Sequence, residues 1–441
     1  MTCLRDQRLG RSLDRLCPGI GDLQGPVYGA DFKLHEPGCA GGVHASAGAC
    51  VTGAMECTLR EIFQEHFEPY AQRHRLPAYV HRAAYWISRC RTAELGGHVR
   101  RCPQGHVERA FYNSCHQRVC PQCQALATER WLERQRARLL ACAHHHLIFT
   151  IPHELNALWC WNRSAMAKLL FAAVRDTLME LLGDRRYLGA KPALLAALHT
   201  WGRSLALHPH VHVLAADGGL SAEGAWVKPR RSHFLPARVL MMLFRGKLLA
   251  ALRQGIERAR LRLPQGASRE RIGSLLNRLG RKKWNVHIRA RYAHGEGVAA
   301  YLARYLKGGP LKNTQLLPAE RGCVRFRYRP HRDEDDAGGD VLTLSLAPDA
   351  FLARYLAHLP QPGAQTLRGY GLYGQRAGQL LDQARAALGQ PPVQEPQALR
   401  VEDFLTRFRQ TLDASRCPRC GASLRFVSLI VHGPAPPHAP H

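Results

Sequence analysis

The chain has 441 residues, enough for two or three domains, and it carries 62 Lys and Arg against 34 Asp and Glu. The net charge of +28 and the sequence pI of about 10.1 favour a polyanionic partner, for which nucleic acid is the usual choice. The sequence has no long apolar run, no lipidation signal and no secretory leader, so we expect a cytoplasmic protein without a membrane anchor.

The first part of the chain divides into two segments of different character. Residues 1–54 are rich in glycine and cysteine and lack hydrophobic periodicity, and we predict a disordered extension with Met55 as a candidate true start. From Thr58 to about Cys90 an amphipathic pattern predicts helix, interrupted near Pro77.

A cysteine-rich segment follows over residues 90–123. Its knuckle, Cys120-Pro-Gln-Cys123, supplies two ligands from one turn, and a tetrahedral zinc site needs two more. Without a secretory signal, this spacing indicates a structural zinc site rather than disulfides; the alternative is a crowd of unmetallated thiols in an arginine-rich loop. The second ligand pair is drawn from Cys102, His106 and Cys115, with Cys90 as a more distant candidate.

An alternation of helices and strands begins after the cysteines. The sequence predicts a basic amphipathic helix over 125–142, a strand over 146–152, a long helix over 157–182 ended by Gly183, and a strand over 193–203.

Three histidines then occupy alternate positions in the apolar stretch LALHPHVHVLAADGGL, residues 205–220. The pattern predicts a strand closed by a turn at Asp217-Gly218-Gly219. In a strand His210 and His212 share a face, so their imidazoles can bind one metal ion. His208 lies too far along the strand for an easy third bond, and Pro209 places it at the start of the strand. The alternative is a pair of surface histidines on an edge strand.

The remaining elements are predicted from periodicity and from turn residues. They are a helix over 236–261, a basic linker over 268–283, a strand over 284–292, a short helix over 295–309, and a closing pair of strands over 322–329 and 340–346. Past about residue 390 the chain becomes rich in proline and glutamine. It ends in a second knuckle, Cys417-Pro-Arg-Cys420, without visible partners, and a low-complexity tail.

The short helix carries Tyr301-Leu-Ala-Arg-Tyr305, which places both phenols on one helical face with Arg304 beside them. The alternative is an amphipathic helix that buries two tyrosines, a pattern that Phe351-Leu-Ala-Arg-Tyr355 repeats where we expect no catalysis. A cation held by the paired histidines could act as a Lewis acid on a phosphate. A tyrosine phenolate could then attack the phosphorus and form a phosphotyrosine.

The order HLIFTIPHE, HTWGRSLALHPHVHVLAADGGL and YLARYLKGG, within about residues 60–390, resembles the two-tyrosine HUH transposases of rolling-circle insertion sequences. Residues 90–124 resemble the zinc-binding domain that those transposases carry ahead of the nuclease. The resemblance implies that His210-Val211-His212 is the HUH motif, which binds Mg²⁺ or Mn²⁺, and that Tyr301 and Tyr305 are the nucleophiles. The segment CPQGH departs from the pattern because it lacks the second cysteine of a knuckle, so either His106 substitutes for it or the first pair forms differently.

HUH sites usually take a third protein ligand. His199, on the preceding strand, is the first choice and His146 the second. His199 could equally pack against Trp201 instead of binding a metal ion.

The predicted fold class is α/β (α+β), with a helical zinc-binding subdomain followed by an HUH nuclease domain that has a central antiparallel sheet and helices packed on one face. The expected divisions after the extension are a zinc-binding domain (55–142), a nuclease domain (143–330), the C-terminal part of the transposase domain (331–390), and a linker, knuckle and disordered tail (391–441).

The predicted function is a transposase that cuts and rejoins single-stranded DNA through a 5′-phosphotyrosine. The expected partners are the element ends and the target DNA, with no membrane and no small-molecule substrate. A plasmid or phage replication initiator, or a relaxase, is the nearest alternative. A non-catalytic zinc-finger DNA-binding protein is the alternative from another class.

Overall fold

A computed structural model describes residues 57–229, 234–289, 291–295, 297, 299, 309–329, 340–408 and 415–431. The predicted extension with Met55, both candidate nucleophiles (Tyr301 and Tyr305), most of the helix that carries them, and the last ten residues lie outside the described residues.

The described chain combines helices with antiparallel strands, which confirms the predicted α+β class. The helices are α1 (Leu59–Arg73), α2 (Ala78–Ser88), α3 (Ala125–Arg138), α4 (Asn156–Trp161), α5 (Arg163–Gly183), α6 (Ala237–Glu257), α7 (Arg269–Arg281), α8 (Pro348–Leu356), α9 (Gly378–Ala387) and α10 (Val401–Phe408). The strands are β1 (Gly97–Arg101), β2 (Glu108–Tyr112), β3 (His144–Thr150), β4 (Lys191–Trp201), β5 (Leu207–Leu220), β6 (Trp226–Val227), β7 (Val286–Ile288), β8 (Leu316–Glu320), β9 (Cys323–Tyr328), β10 (Leu342–Leu346), β11 (Leu367–Gly371) and β12 (Arg425–Ile430).

The first two helices form the predicted interrupted pair. Thr58 caps α1 through a reciprocal capping box with Glu61, and Pro77 stands immediately before α2. These helices do not pack only on each other. The Phe63 ring meets the Tyr355 ring of α8 edge-to-face at 5.8 Å, within a core that also includes β9. The N-terminal helices therefore share a hydrophobic core with residues 311–359.

A three-stranded antiparallel sheet has the order β12–β1–β2. The β1–β2 hairpin belongs to the cysteine-rich segment, whereas β12 comes from the far end of the chain; Gly97 pairs with Ile430 and Arg101 with Arg425. The C-terminal segment thus folds back onto the N-terminal region.

The central sheet has the order β11–β4–β5–β3–β7, with the short β6 paired to the end of β5. All of its pairings are antiparallel, as predicted. On one face Phe149, Val211 and Val213 pack in a core with helices α5, α6 and α7. On the other face Leu214 and Ala216 pack in a second core with α3 and α9. The expectation of helices on one face only is therefore wrong, because the face that carries the histidines is also apolar farther along the strand.

Two predicted segments take a different form. The long helix of residues 157–182 is divided at Asn162, whose buried side chain exchanges hydrogen bonds of 2.7 Å with both backbone groups of Arg262. The basic linker of residues 268–283 is helix α7. Ser268 caps its N-terminus, and its buried face includes Leu276 and Leu279.

The predicted turn at Asp217-Gly218-Gly219 is also wrong, since β5 continues through it to Leu220. A Cβ atom at Gly218, where φ is +152°, would lie 2.6 Å from the Trp226 ring, so glycine here permits close packing of β6 rather than a reversal. The predicted closing pair of strands is confirmed as β9 and β10. In the described part of the chain no helix has both the length and the apolar character needed to span a membrane.

Candidate metal centres

Strands β4 and β5 bring three histidines together on one face of the central sheet. Their antiparallel register pairs His199 directly with His210 and sets Ala197 opposite His212, so the three imidazoles share a face. Their ligand nitrogens all lie within 4.8 Å of one another. The ring of His212 is 4.3 Å from that of His199 and 4.8 Å from that of His210, centroid to centroid. The cluster has the composition and spacing of a three-imidazole metal site.

Hydrogen bonds fix the orientation of two of these rings. The Nδ1 atom of His210 lies 2.6 Å from the backbone oxygen of His208, so Nδ1–H donates and Nε2 keeps its lone pair. The Nδ1 atom of His212 lies 2.7 Å from Nε2 of His146 on β3. If Nδ1–H of His212 donates to His146, then Nε2 of His212 also presents a lone pair to the cluster. This arrangement of ligand and supporting partner is usual around metal-binding histidines.

Burial keeps the cluster neutral. His199 is 1% exposed and His212 is 3% exposed. Burial lowers the pKa of His210 to about 3 and holds the pKa values of His199 and His212 well below the usual range for histidine. A neutral imidazole is the form that binds metal ions, so the residues present suit a divalent cation.

The two candidates for the third ligand occupy different positions. His199 lies in the cluster, and its ring also stacks on that of Trp201 with the centroids 5.6 Å apart. The two expected positions of His199, beside the other histidines and against Trp201, are therefore compatible. His146 lies beside His212 on the neighbouring strand β3. Burial lowers the pKa of His146 to about 4, and the positive charge of Arg289 lowers it further in the same direction. The geometry therefore favours His199 as the third ligand candidate, and it places His146 where its hydrogen bond orients the ring of His212.

The described residues shortly before residue 301 pair with the sheet and then pack on its histidine-bearing face. Tyr292 exchanges two backbone hydrogen bonds with His144 of β3. Gly295 packs against the His144 ring, and Ala299 is fully buried in the core formed by the histidine-bearing face. Tyr301 follows Ala299 by two residues.

A cluster of four thiols lies at the base of the cysteine-rich segment. It joins Cys90, at the end of α2, with Cys115 and with the knuckle residues Cys120 and Cys123, and all four sulfurs lie within 4.8 Å of one another. The Sγ–Sγ distances of 3.6 Å (Cys115–Cys123) and 3.7 Å (Cys90–Cys120) are close to the about 3.8 Å expected around a tetrahedral zinc with bonds of about 2.3 Å.

The other two ligand candidates of this segment lie elsewhere. Cys102 and His106, at the tip of the β1–β2 hairpin, stand beside Cys417 and Cys420 of the terminal knuckle, again with all ligand atoms within 4.8 Å. The spacing of these residues along the chain does not predict that they meet, because their proximity depends on the pairing of β12 with β1. The sequence does show that the two segments begin alike, as CPQG and CPRC.

A thiol cluster ahead of an antiparallel sheet with a histidine site, on a strongly basic chain, indicates a metal-binding protein that acts on a polyanion such as nucleic acid. Comparison with known families identifies the class as transposase. Residues 194–379 match the family model described as "Putative transposase", and residues 62–151 match the model described as "Transposase zinc-binding domain".

Two curated relatives match most of the chain. "Putative transposase y4qJ" of Sinorhizobium fredii is 36% identical over 386 residues, which cover 85% of this chain and 96% of the relative. "Transposase for insertion sequence element IS801" of Pseudomonas savastanoi pv. phaseolicola is 31% identical over 349 residues, which cover 77% of this chain and 82% of the relative. No solved structure matches significantly. The chain belongs to this family of insertion-sequence transposases with an N-terminal zinc-binding domain, as its resemblance implied.

Proposed function

We propose that this transposase cuts and rejoins single-stranded DNA through a covalent 5′-phosphotyrosine intermediate. The observation that supports this chemistry best is the juxtaposition on one sheet face. Three neutral imidazoles cluster there, and Gly295 and Ala299 are buried against the same face. Tyr301 follows Ala299 by two residues in the sequence, which supports the proposal that Tyr301 and Tyr305 act at this face.

His199, His210 and His212 would hold a divalent cation through their Nε2 or Nδ1 atoms. When bound, the cation would supply Lewis-acid stabilisation of charge on the scissile phosphate. Mg²⁺ and Mn²⁺ both accept oxygen ligands, which phosphate and water would supply beside the imidazoles, so this donor set suits either ion. The half-buried Arg289, next to His146, adds positive charge at the edge of the site.

The nucleophile would be the phenolate of Tyr301 or Tyr305 after its proton passes to solvent. Its oxygen bonds to phosphorus as the bond from phosphorus to the 3′ oxygen breaks, and the leaving oxygen takes a proton to become a free 3′-hydroxyl. Attack by another 3′-hydroxyl reverses these steps, joins the strands and restores the phenol. Two tyrosines four residues apart on a helix share a face, so one can cut while the other still carries DNA.

The experiment is adduct formation with the full-length protein, Mn²⁺ and a 3′-labelled single-stranded oligonucleotide that spans an end of the element. A denaturing gel should reveal labelled protein, and peptide mapping should find the DNA on Tyr301 or Tyr305. The matched control is Tyr292→Phe, because Tyr292 is 37% exposed, lies nearby and is held by its backbone.

We expect each single variant, Tyr301→Phe or Tyr305→Phe, to retain some adduct and the double variant to form none while binding DNA normally. An adduct on Tyr292 or Tyr328 only, or a full yield from the double variant, would contradict the proposal. The alternative of a non-catalytic zinc-finger protein expects no adduct from the wild type, and it expects both changes to cost no more than about 0.5–1.5 kcal/mol each. A replication initiator or relaxase would share the chemistry, and the family of this chain favours the transposase.

A further inference from the structure

The hairpin tip and the terminal knuckle form a second group of metal-binding side chains. We propose that a second structural zinc ion is bound by four residues, Cys102, His106, Cys417 and Cys420. This ion would hold the C-terminal segment, residues 415–431, against the N-terminal zinc-binding domain. The first pair lies within residues 62–151, which match the zinc-binding family model, and the second pair lies far outside them. The proposal is independent of the DNA-cleavage chemistry.

The distances fit a tetrahedral site with three sulfurs and one nitrogen. The Sγ atoms of Cys102 and Cys420 are 3.5 Å apart, and Nδ1 of His106 is 3.8 Å from the Sγ atoms of both Cys102 and Cys417. Bonds of about 2.3 Å to sulfur and 2.0–2.1 Å to nitrogen imply ligand separations of about 3.8 Å and about 3.6 Å respectively. A disulfide would require about 2.05 Å between sulfurs, so Cys102 and Cys420 are not bonded.

Each pair sits on a tight turn that contains a glycine. In the hairpin the Gly105 N–H donates to the oxygen of Cys102, three residues earlier, at 2.9 Å, and in the knuckle the Gly421 N–H donates to the oxygen of Cys417, four residues earlier, also at 2.9 Å. Both glycines have positive φ, 73° and 70°, a conformation that favours glycine. His106 follows its glycine directly and thereby takes the place of the missing second cysteine in CPQGH.

The apolar contacts around this group are few. The buried core consists of Cys102, Cys417 and Leu424, with Val107 and Phe111 packed against it. Strand β12 leaves Phe426 60% exposed and Leu429 73% exposed. Ordering a chain segment costs conformational entropy at every residue, and the burial of one leucine offsets only part of that cost. Structural zinc contributes folding free energy directly in small domains, so a metal ion would add to the stabilisation that the pairing of β12 with β1 provides.

The charge around the cluster does not oppose a metal site. Arg101 is paired with Glu108 at 2.5 Å, and the Arg416 guanidinium donates to the Gly421 oxygen at 3.1 Å. A site of three thiolates and one neutral imidazole with Zn²⁺ carries a net charge of −1, which the surrounding arginines stabilise.

The test is the zinc content of the purified, reduced, full-length protein by elemental analysis. We expect the Cys417→Ser/Cys420→Ser double variant to carry one zinc ion per chain fewer than the wild type. Cys57→Ser, which changes a half-buried cysteine outside both clusters, should keep the zinc content of the wild type. An equal zinc content in the wild type and the double variant would overturn the proposal.

Cobalt substitution and proteolysis add readouts that do not depend on zinc content alone. The Co²⁺-substituted wild type should display two thiolate spectra, and His106→Ala should alter only one of them. A chelator that removes one metal ion should expose residues 415–431 to protease while the central sheet stays resistant. If that segment is cleaved equally fast with and without the chelator, the metal does not hold it.

Discussion

The hydrogen bond between His146 and His212 predicts that His146, which would not bind the cation itself, affects cation binding through His212. His146 is 5% exposed on β3, and its Nε2 lies 2.7 Å from Nδ1 of His212. Replacing His146 by Ala removes the group that fixes the tautomer and ring orientation of His212. The three proposed ligands would remain in place, and the loss would appear as weaker cation binding.

The size of the effect follows from the hydrogen bond that this substitution removes. A neutral buried hydrogen bond contributes about 0.5–1.5 kcal/mol, and the loss of such a supporting partner typically costs 10–100-fold in metal affinity. We therefore expect Mn²⁺ binding by His146→Ala to weaken 10–100-fold, or by about 1.4–2.7 kcal/mol. Gln carries an amide oxygen that can accept a hydrogen bond, so His146→Gln should recover part of this loss.

The assay is a Mn²⁺ titration followed by calorimetry and, separately, by the yield of the covalent adduct. His212→Ala sets the lower limit, because it removes a proposed ligand and should abolish cleavage while leaving DNA binding nearly unchanged. His208→Ala is the matched control, since its exposed side chain is removed but its backbone oxygen still accepts from His210. Thermal unfolding without metal separates any packing defect at position 146 from the change in affinity.

Two outcomes would refute the reasoning. Wild-type Mn²⁺ affinity in His146→Ala would mean that the hydrogen bond does not orient His212. A loss as complete as that of His212→Ala would mean that His146 is itself a ligand, in place of His199.

Two further predictions concern the zinc cluster and the DNA interface. Cys120→Ser should lose one zinc and unfold residues 90–142. It should also loosen α8, because the Tyr355 hydroxyl of α8 donates to the Val119 oxygen at 2.6 Å. Hydrogen exchange would locate the change, and protection of α8 equal to that of the wild type would contradict the prediction. Because the chain has a net charge of +28, its affinity for DNA should fall steeply with salt concentration, by about 300-fold from 50 to 200 mM for six contacts to single-strand phosphates. Fluorescence anisotropy would measure this affinity. An affinity that does not change with salt would exclude an interface based on phosphate contacts.

The sequence determined the elements whose signals are local. Alternation of apolar residues gave the strand with His210 and His212, and period two alone put both imidazoles on one face. The break before Pro77 is likewise predictable from the proline, and the pairing of β9 with β10 from a charged segment between two runs of alternating residues. Phe351 and Tyr355 are fully buried, which agrees with the expectation that their tyrosine pattern lacks catalysis.

Local signals misled where a residue acted through a distant partner. The glycines at 218 and 219 suggested a turn, but the space above Gly218 is filled by the Trp226 ring. Asn162 looked compatible with a long helix, and its hydrogen bonds to Arg262, a hundred residues away, divide the helix instead. The high charge of residues 268–283 obscured the apolar face of α7.

Only the tertiary structure decided which side chains meet. Strand register set His199 opposite His210 and put His146 behind His212, a distinction that spacing along the chain cannot make. The return of β12 to β1 brought Cys417 and Cys420 to the hairpin that carries Cys102, across more than 300 residues. Ligand types and local turns are properties of short segments, whereas ligand sets depend on pairing between strands remote in sequence, and that pairing is fixed by the burial of the whole sheet.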